Sequence, residues 1–393
     1  MLRTESSTAI VRLMGIAMLS MGVLTGACWA QSNDDLKKCY ENGPTNADLA
    51  LRYCTAALQS GKLSQEDLAN AFINRGNAYD TKGDHDRAIQ DYDQAIGVNP
   101  KDGDAFMNRG SAYGNKGDRD RAIQDFDQAI LLNPNDARAF GSRGIAYGNK
   151  GEYDRAIQDF DQAIRLNPND AVALFNRGVA YDNKGEYDRA IQNFDRAIQL
   201  NPNSAEALFN RGVAYNYKGN FDRAIQNYDQ FIHLNPNDTA GLFNRGVAQF
   251  CLGQFGLAQK DLAGAVQLQP KNLYNVIWSY LTQARAGKDA RSDLQKNAAG
   301  LDLKQWPGMI IQLYLGKTRP DTVLPAAKDP DPKKGKGQLC EAYFYLSERS
   351  LLAGNPAEAI QLFQKTLGTG VTSFTEYTVA KEELRRLQST PNH

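Results

Sequence analysis

Thirty-four residues, from Asn135 to Pro168, recur almost letter for letter on either side of themselves, and this fixed period constrains the chain more than any other feature. Counting back gives Asp67–Pro100 and Lys101–Pro134. Counting forward gives Asn169–Pro202, Asn203–Pro236 and a looser Asn237–Pro270. A unit this short cannot bury an apolar face alone, so six in a row must stack and bury it against one another. Within the unit, Asp136 is placed to cap a helix A over 137–150, which Gly151 ends. Helix B runs from Tyr153 to Leu166, and Pro168 prevents its continuation. Gly76, Gly110, Gly144, Gly178, Gly212 and Gly246 fall in mid-helix, where glycine costs roughly 1 kcal/mol against alanine. Close approach of helices A and B must offset that cost, with the alanines of the Ala156 position as the expected contacts.

The flanks are less regular. Residues 1–30 carry Arg3 and Arg12, an apolar stretch of 15 residues over 13–27 and a small-residue end, the pattern of a secretory signal peptide. That stretch falls short of the roughly 20 residues that span a membrane. Leu24-Thr25-Gly26-Ala27-Cys28 is similar to a bacterial lipoprotein cleavage box whose leucine stands one residue too far upstream. Three outcomes stay open: Cys28 leaves with the signal peptide, it is lipidated and tethers the protein to a membrane, or the stretch stays uncleaved as an anchor. Export predicts oxidised cysteines. Cys39 and Cys54 flank the turn Asn42-Gly43-Pro44 of a helical cap over 31–66 and are the expected disulfide, closing a loop of about 15 residues worth on the order of 3 kcal/mol. Cys251 and Cys340 are read equally well as a second bridge or as buried thiols.

Phe140, Gly144, Tyr147, Ala156, Phe160, Ala163 and Pro168 sit at the spacings of the tetratricopeptide (TPR) repeat, which the unit resembles. The resemblance implies an all-α, right-handed superhelical solenoid over 67–270. The cap hairpin precedes it, and a degenerate helical repeat over 271–316, a loop over 317–338 and a C-terminal TPR-like helical module over 339–393 follow. From the end of that degenerate repeat through the module, LYLGKT at 313–318, FYLSERSLLAGNPAEAIQLF at 344–363 and Phe374-Thr375-Glu376 resemble the NlpI family of bacterial envelope lipoproteins. Those are TPR adaptors that scaffold envelope proteases and peptidoglycan hydrolases.

Lys plus Arg equals Asp plus Glu, 45 each, which argues against nucleic acid as a partner, because that requires a basic surplus. His85, His233 and His393 are too scattered to ligate a metal, and neither a Cys-x-x-Cys pair nor a phosphate loop is present. No catalytic residue, metal or cofactor is expected. His85 is read as filling an aromatic slot.

The binding reading starts from helix A. By the 3.6-residue period, the face turned away from helix B carries the positions of Gly141, Ser142, Ile145 and Asn149. The Ser142 position is asparagine in every other repeat: Asn74, Asn108, Asn176, Asn210 and Asn244. A row of carboxamides offers the donor and acceptor that a peptide backbone needs. Phe175, Val179, Phe209, Val213, Tyr217, Phe243, Val247 and Phe250 lie beside it in the later repeats. The groove is therefore expected to be polar at its start and apolar at its end. The competing reading has the amides bonded to neighbouring helices and the aromatics filling gaps between repeats. Arg75, Arg109, Arg143, Arg177, Arg211 and Arg245 form either a basic stripe or, the favoured reading, partners for helix-B acids of the Asp125/Asp127 type.

These observations predict an exported, periplasmic adaptor that holds peptide segments of envelope proteins and presents them to a protease or hydrolase. It contacts a membrane only if lipidated at Cys28. Homo-oligomerisation is compatible with this reading. The rival readings are a self-assembling structural envelope protein and, ranking lower, a cell-wall-acting enzyme.

Overall fold

The computed structural model describes residues 34–42 and 46–389. The signal-peptide stretch, Cys28, the turn residues Gly43 and Pro44, and His393 lie outside them. Among the described residues every regular element is a helix, and they form two compact bodies, one reaching Ala180 and the other starting at Tyr181.

The first body opens with α1 over residues 34–42 and α2 (Ala47–Gln59). Asn46 caps α2, its side chain accepting from the Leu49 amide at 3.1 Å. Cys39 and Cys54 are bonded to each other and fully buried, so the cap is covalently closed. Helix pairs follow: α3 (Gln65–Thr81) with α4 (His85–Val98), α5 (Gly103–Asn115) with α6 (Arg119–Leu132), and α7 (Ala137–Asn149) with α8 (Tyr153–Leu166), then α9 (Ala171–Asn183). The local chemistry is as the repeat demands: Asp136 accepts from the Arg138 amide at 2.9 Å, and Gly151 ends the turn after α7 at φ +79°, where a side chain would be strained.

The nearest neighbour of the mid-helix glycine is the helix-B residue four past the expected alanine, although Gly246 also has the Ala258 carbonyl at 3.4 Å from its Cβ position. A Cβ on Gly144 would lie 2.8 Å from the Phe160 ring, whereas Ala156 stands at ordinary contact distance, 4.0 Å, from the Cβ position of Gly148. The helices approach closely because the aromatic ring of helix B packs directly against a bare turn of helix A. His85, in the slot that Tyr187 fills in its own repeat, also has a polar partner: its Nδ1 is 2.6 Å from Asp80.

The arginines sew repeat to repeat. Arg143 donates through Nε and Nη2 to Asp159 of its own repeat, at 2.8 and 2.7 Å, and through Nη1 to Asp127 of the preceding one at 2.6 Å. Arg109 does the same with Asp125 and Asp93, and Arg75 takes Asp91. Within the second body, Arg245 grips Asp261 and Asp229. The paired reading holds and the basic stripe does not, because a guanidinium facing the helix pair must be neutralised there.

The second body contains α10 (Tyr187–Leu200), α11 (Ala205–Tyr217), α12 (Phe221–Leu234), α13 (Thr239–Cys251), α14 (Phe255–Leu268) and α15 (Leu273–Arg285). After these come the short α16 (Arg291–Asn297), α17 (Gly308–Tyr314) and α18 (Val323–Ala326), then α19 (Pro332–Leu352), α20 (Pro356–Gly368) and α21 (Thr375–Ser389). Phe231, where other repeats carry alanine, presses to 2.7 Å of the Cβ position of Gly241, a volume exchange between repeats five and six. The stretch expected as a loop up to Gln338 is helical from Pro332. Asp331 caps that helix, accepting from the Lys333 and Lys334 amides. Its glycines misled because they read as breakers, yet they serve close approach: the Phe374 ring would lie 2.7 Å from a Cβ on Gly337. The degenerate repeat expected over 271–316 ends in the short α17. Trp278, Phe250, Phe344, Tyr345 and Phe363 share one core, and Arg285 on α15 ties α19 and α21 through Glu348 at 2.7 Å and Glu383 at 3.0 Å. Cys251 and Cys340 are free buried thiols.

Candidate functional site

The asparagine positions recur on helix A because the 34-residue period returns each to the same turn. In the first body, Asn74 donates its amide to the Asn70 carbonyl at 2.8 Å and Asn176 to the Val172 carbonyl at 2.9 Å. In the second, Asn210 donates to Glu206 at 2.8 Å and Asn244 to Ala240 at 2.8 Å. Each acceptor belongs to the same helix one turn back, so the amides are steadied by their own helix rather than plugged into a neighbour. All of these asparagines, and Asn108, are partly exposed.

The apolar positions divide. Phe175, Val179, Phe209, Val213, Tyr217 and Phe243 are partly exposed. Val247 and Phe250 are not available to a ligand, being 1% and 0% exposed. Phe250 stacks edge-on against Phe255 and Trp278, because α15 and the C-terminal helices cover that end of the repeats. Phe209 leans on Phe231 with ring centroids 5.0 Å apart, and Phe243 meets Trp278 edge-on at 6.2 Å.

Tyr217 has a partner that sequence reasoning did not anticipate. Its ring stacks on Tyr187 at 5.3 Å, and its hydroxyl donates to the Ser373 main-chain carbonyl at 2.8 Å. Burial, with the Asp182 charge adding, pushes the phenol up to about 12. The irregular segment before α21 is thus held on the face that was expected to hold peptide.

Beside it a cavity of about 530 Å³ opens on Phe243 and Asn244 from the repeats, Tyr274 from α15, Glu341 from α19, and Phe374 and Glu376 at the start of α21. Glu341 and Glu376 are 6% and 5% exposed. The Tyr274 hydroxyl donates to both Glu341 oxygens at 3.1 Å, the Trp306 indole donates to one of them, and the Tyr345 hydroxyl donates to Glu376 at 2.8 Å. Burial and then the Glu376 charge push Glu341 up to about 8, and burial raises Glu376 as well. Sequence reasoning missed these acids. The available signal was Glu341 standing inside the apolar run Leu339-Cys340-Glu341-Ala342, where a carboxylate is costly unless something answers it.

A curated relative, the lipoprotein NlpI homolog of Haemophilus influenzae, is 31% identical over 133 residues, 33% of this chain and 42% of the relative, so the chain spans less than half of that protein's length. Among solved structures, MamA is 29% identical over 41% of this chain and 94% of its own, with a TM-score of 0.39. YrrB, described as a TPR protein with an unusual peptide-binding site, is 23% identical over 47% and 95%, with a TM-score of 0.43. The tetratricopeptide repeat itself is matched over residues 69–102 and, in overlapping pairs of repeats, over 109–272, together half the chain. With helix pairs and mid-helix glycines recurring at one 34-residue period, the chain belongs to the tetratricopeptide repeat family.

Proposed function

We propose that the protein is an exported adaptor that binds extended peptide segments of other envelope proteins along the asparagine faces of its repeats. The observation that carries this reading is the state of the carboxamides: tied to their own helix one turn back, partly exposed, and so pre-positioned to pair with a peptide main chain. The Tyr217 hydroxyl holding the Ser373 carbonyl supports it, since a residue beside the row already grips main chain. Phe209 and Phe243 add apolar contact for alternate side chains of the segment. The likeness to a lipoprotein extends the proposal to an envelope location, and the resemblance of the C-terminal motifs to the NlpI family extends it to presenting clients to a protease or peptidoglycan hydrolase. Cys28 is then either removed with the signal peptide or lipidated.

The test is an Asn176→Ala, Asn210→Ala double variant, compared with the parent for capture of envelope proteins and for binding to an array of overlapping envelope-protein peptides. Alanine favours the helix, so the fold is retained. A loss of binding of tenfold or more supports the adaptor. Unchanged capture by the variant removes the asparagine mechanism and leaves a self-assembling structural role.

A further inference from the structure

Resting on that peptide-binding reading, we propose that the cavity at Phe243, Glu341 and Glu376 is a specificity pocket for a basic side chain, lysine or arginine, of the bound segment.

The charge balance of the second body points to it. Its other pair of buried acids, Glu348 and Glu383, is answered from within: Arg285 reaches both, and Arg386 bonds Glu383. Glu341 and Glu376 instead receive hydroxyl and indole donors, which are neutral, and among the residues lining their cavity there is no lysine, arginine or histidine. Two buried carboxylates facing an open cavity are the arrangement that a cation completes. The rest of the wall fits the stem of such a side chain. Phe243 and Phe374 offer aromatic surface for the methylenes and a ring face for the charge. Asn244, its amide bonded to the Ala240 carbonyl of its own helix, also lines the cavity and can meet the main chain. About 530 Å³ accommodates one long side chain with its flanking backbone.

The groups facing Glu341 are the Tyr274 hydroxyl from α15, the Trp306 indole, the Cys340 and Tyr345 side chains of its own helix, and Glu376 from α21. None is cationic. Burial and the neighbouring Glu376 shift Glu341 toward its protonated form, so an entering ammonium group favours release of that proton to solvent.

The experiment is titration calorimetry of the full chain with three heptapeptides, Ala-Ala-Ser-Xaa-Ser-Ala-Ala, where Xaa is lysine, norleucine or glutamate. The lysine peptide is expected to bind at least tenfold more tightly than the norleucine peptide, with the glutamate peptide weakest. Repeating the titration at pH 7 in buffers of different ionisation heat should show proton release with lysine alone. Glu341→Gln with Glu376→Gln keeps an acceptor for Tyr274 and Tyr345, and should abolish both the lysine preference and the proton release while leaving norleucine binding unchanged. Equal affinity for lysine and norleucine overturns the pocket but leaves peptide binding standing. A preference that survives in the double variant overturns the assignment to these acids. No binding by any of the three overturns the pocket and the peptide-binding reading together.

Discussion

Arg211 donates its Nε proton to Asn227 at 2.7 Å, although four of the six repeats place an aspartate at the Asn227 position. The Asn227 amide has its own outlet, donating to the Arg223 carbonyl one turn back at 2.7 Å. What the arginine requires of helix B is therefore an acceptor oxygen, while the second charge comes from the preceding repeat, here Asp195 at 2.6 Å. It follows that Asp159→Asn will cost about 1 kcal/mol or less, since the chain already uses that solution. Asp159→Ala leaves Arg143 half-answered in a partly buried position and should cost about 2 kcal/mol. Native-state hydrogen exchange of α7 and α8 in the two variants separates these outcomes better than a global melt, because repeat arrays open locally.

Two glycines of α7 should respond to alanine with opposite sign. Gly141→Ala adds a methyl where nothing lies within 4 Å, so relief of the glycine cost stabilises by about 0.5–1 kcal/mol. Gly144→Ala drives a methyl to 2.8 Å of the Phe160 ring and should destabilise by roughly 1–3 kcal/mol. Paired urea midpoints decide it. If Gly144→Ala is neutral, the ring packing described for the repeat is wrong.

The repeat was legible because one period dictates cap, glycine turn and proline stop at once, and Tyr153–Leu166 is found as a helix at the residues expected. What escaped was whatever depends on non-periodic neighbours. Val247 and Phe250 look like groove residues by register, but α15 and the C-terminal helices bury them, and no local pattern at those positions announces such a cover. Gly335 and Gly337 read as a loop because the elements that press on them, Asp329 and the Phe374 ring, are defined only by the folded chain. The acids of the cavity come from α19 and α21, 35 residues apart in sequence, and only packing brings them to Phe243.

The cap offers a third test. The bond between Cys39 and Cys54 closes a separation of 15 residues, which by chain entropy contributes about 3 kcal/mol to holding α1 against α2. Reduction, or Cys39→Ala with Cys54→Ala, should free the amides of α1 and α2 to exchange while α5 through α8 stay protected. Equal loss of protection throughout the first body would mean that the cap is integral to the array rather than a cover on it.

Asp182 sets a pH dependence whose sign can be fixed in advance. Burial alone pushes its carboxyl up to about 6, beside Tyr187, Tyr217 and Tyr228, whose phenols its charge raises in turn. An unfolded aspartate titrates near 3.9. Between about pH 4 and pH 6 the folded chain therefore binds more protons at this site than the unfolded chain, and stability falls as pH rises through that window. Other carboxylates titrate nearby, so the informative quantity is the difference between the parent and Asp182→Asn. That difference should be flat below pH 4, grow in favour of the variant up to about pH 6 and then level off, on the order of 1–2 kcal/mol after allowance for partial exposure. Carbon-detected NMR of the Asp182 carboxyl gives the independent check: a midpoint near 6 sustains the argument, and one near 4 removes it.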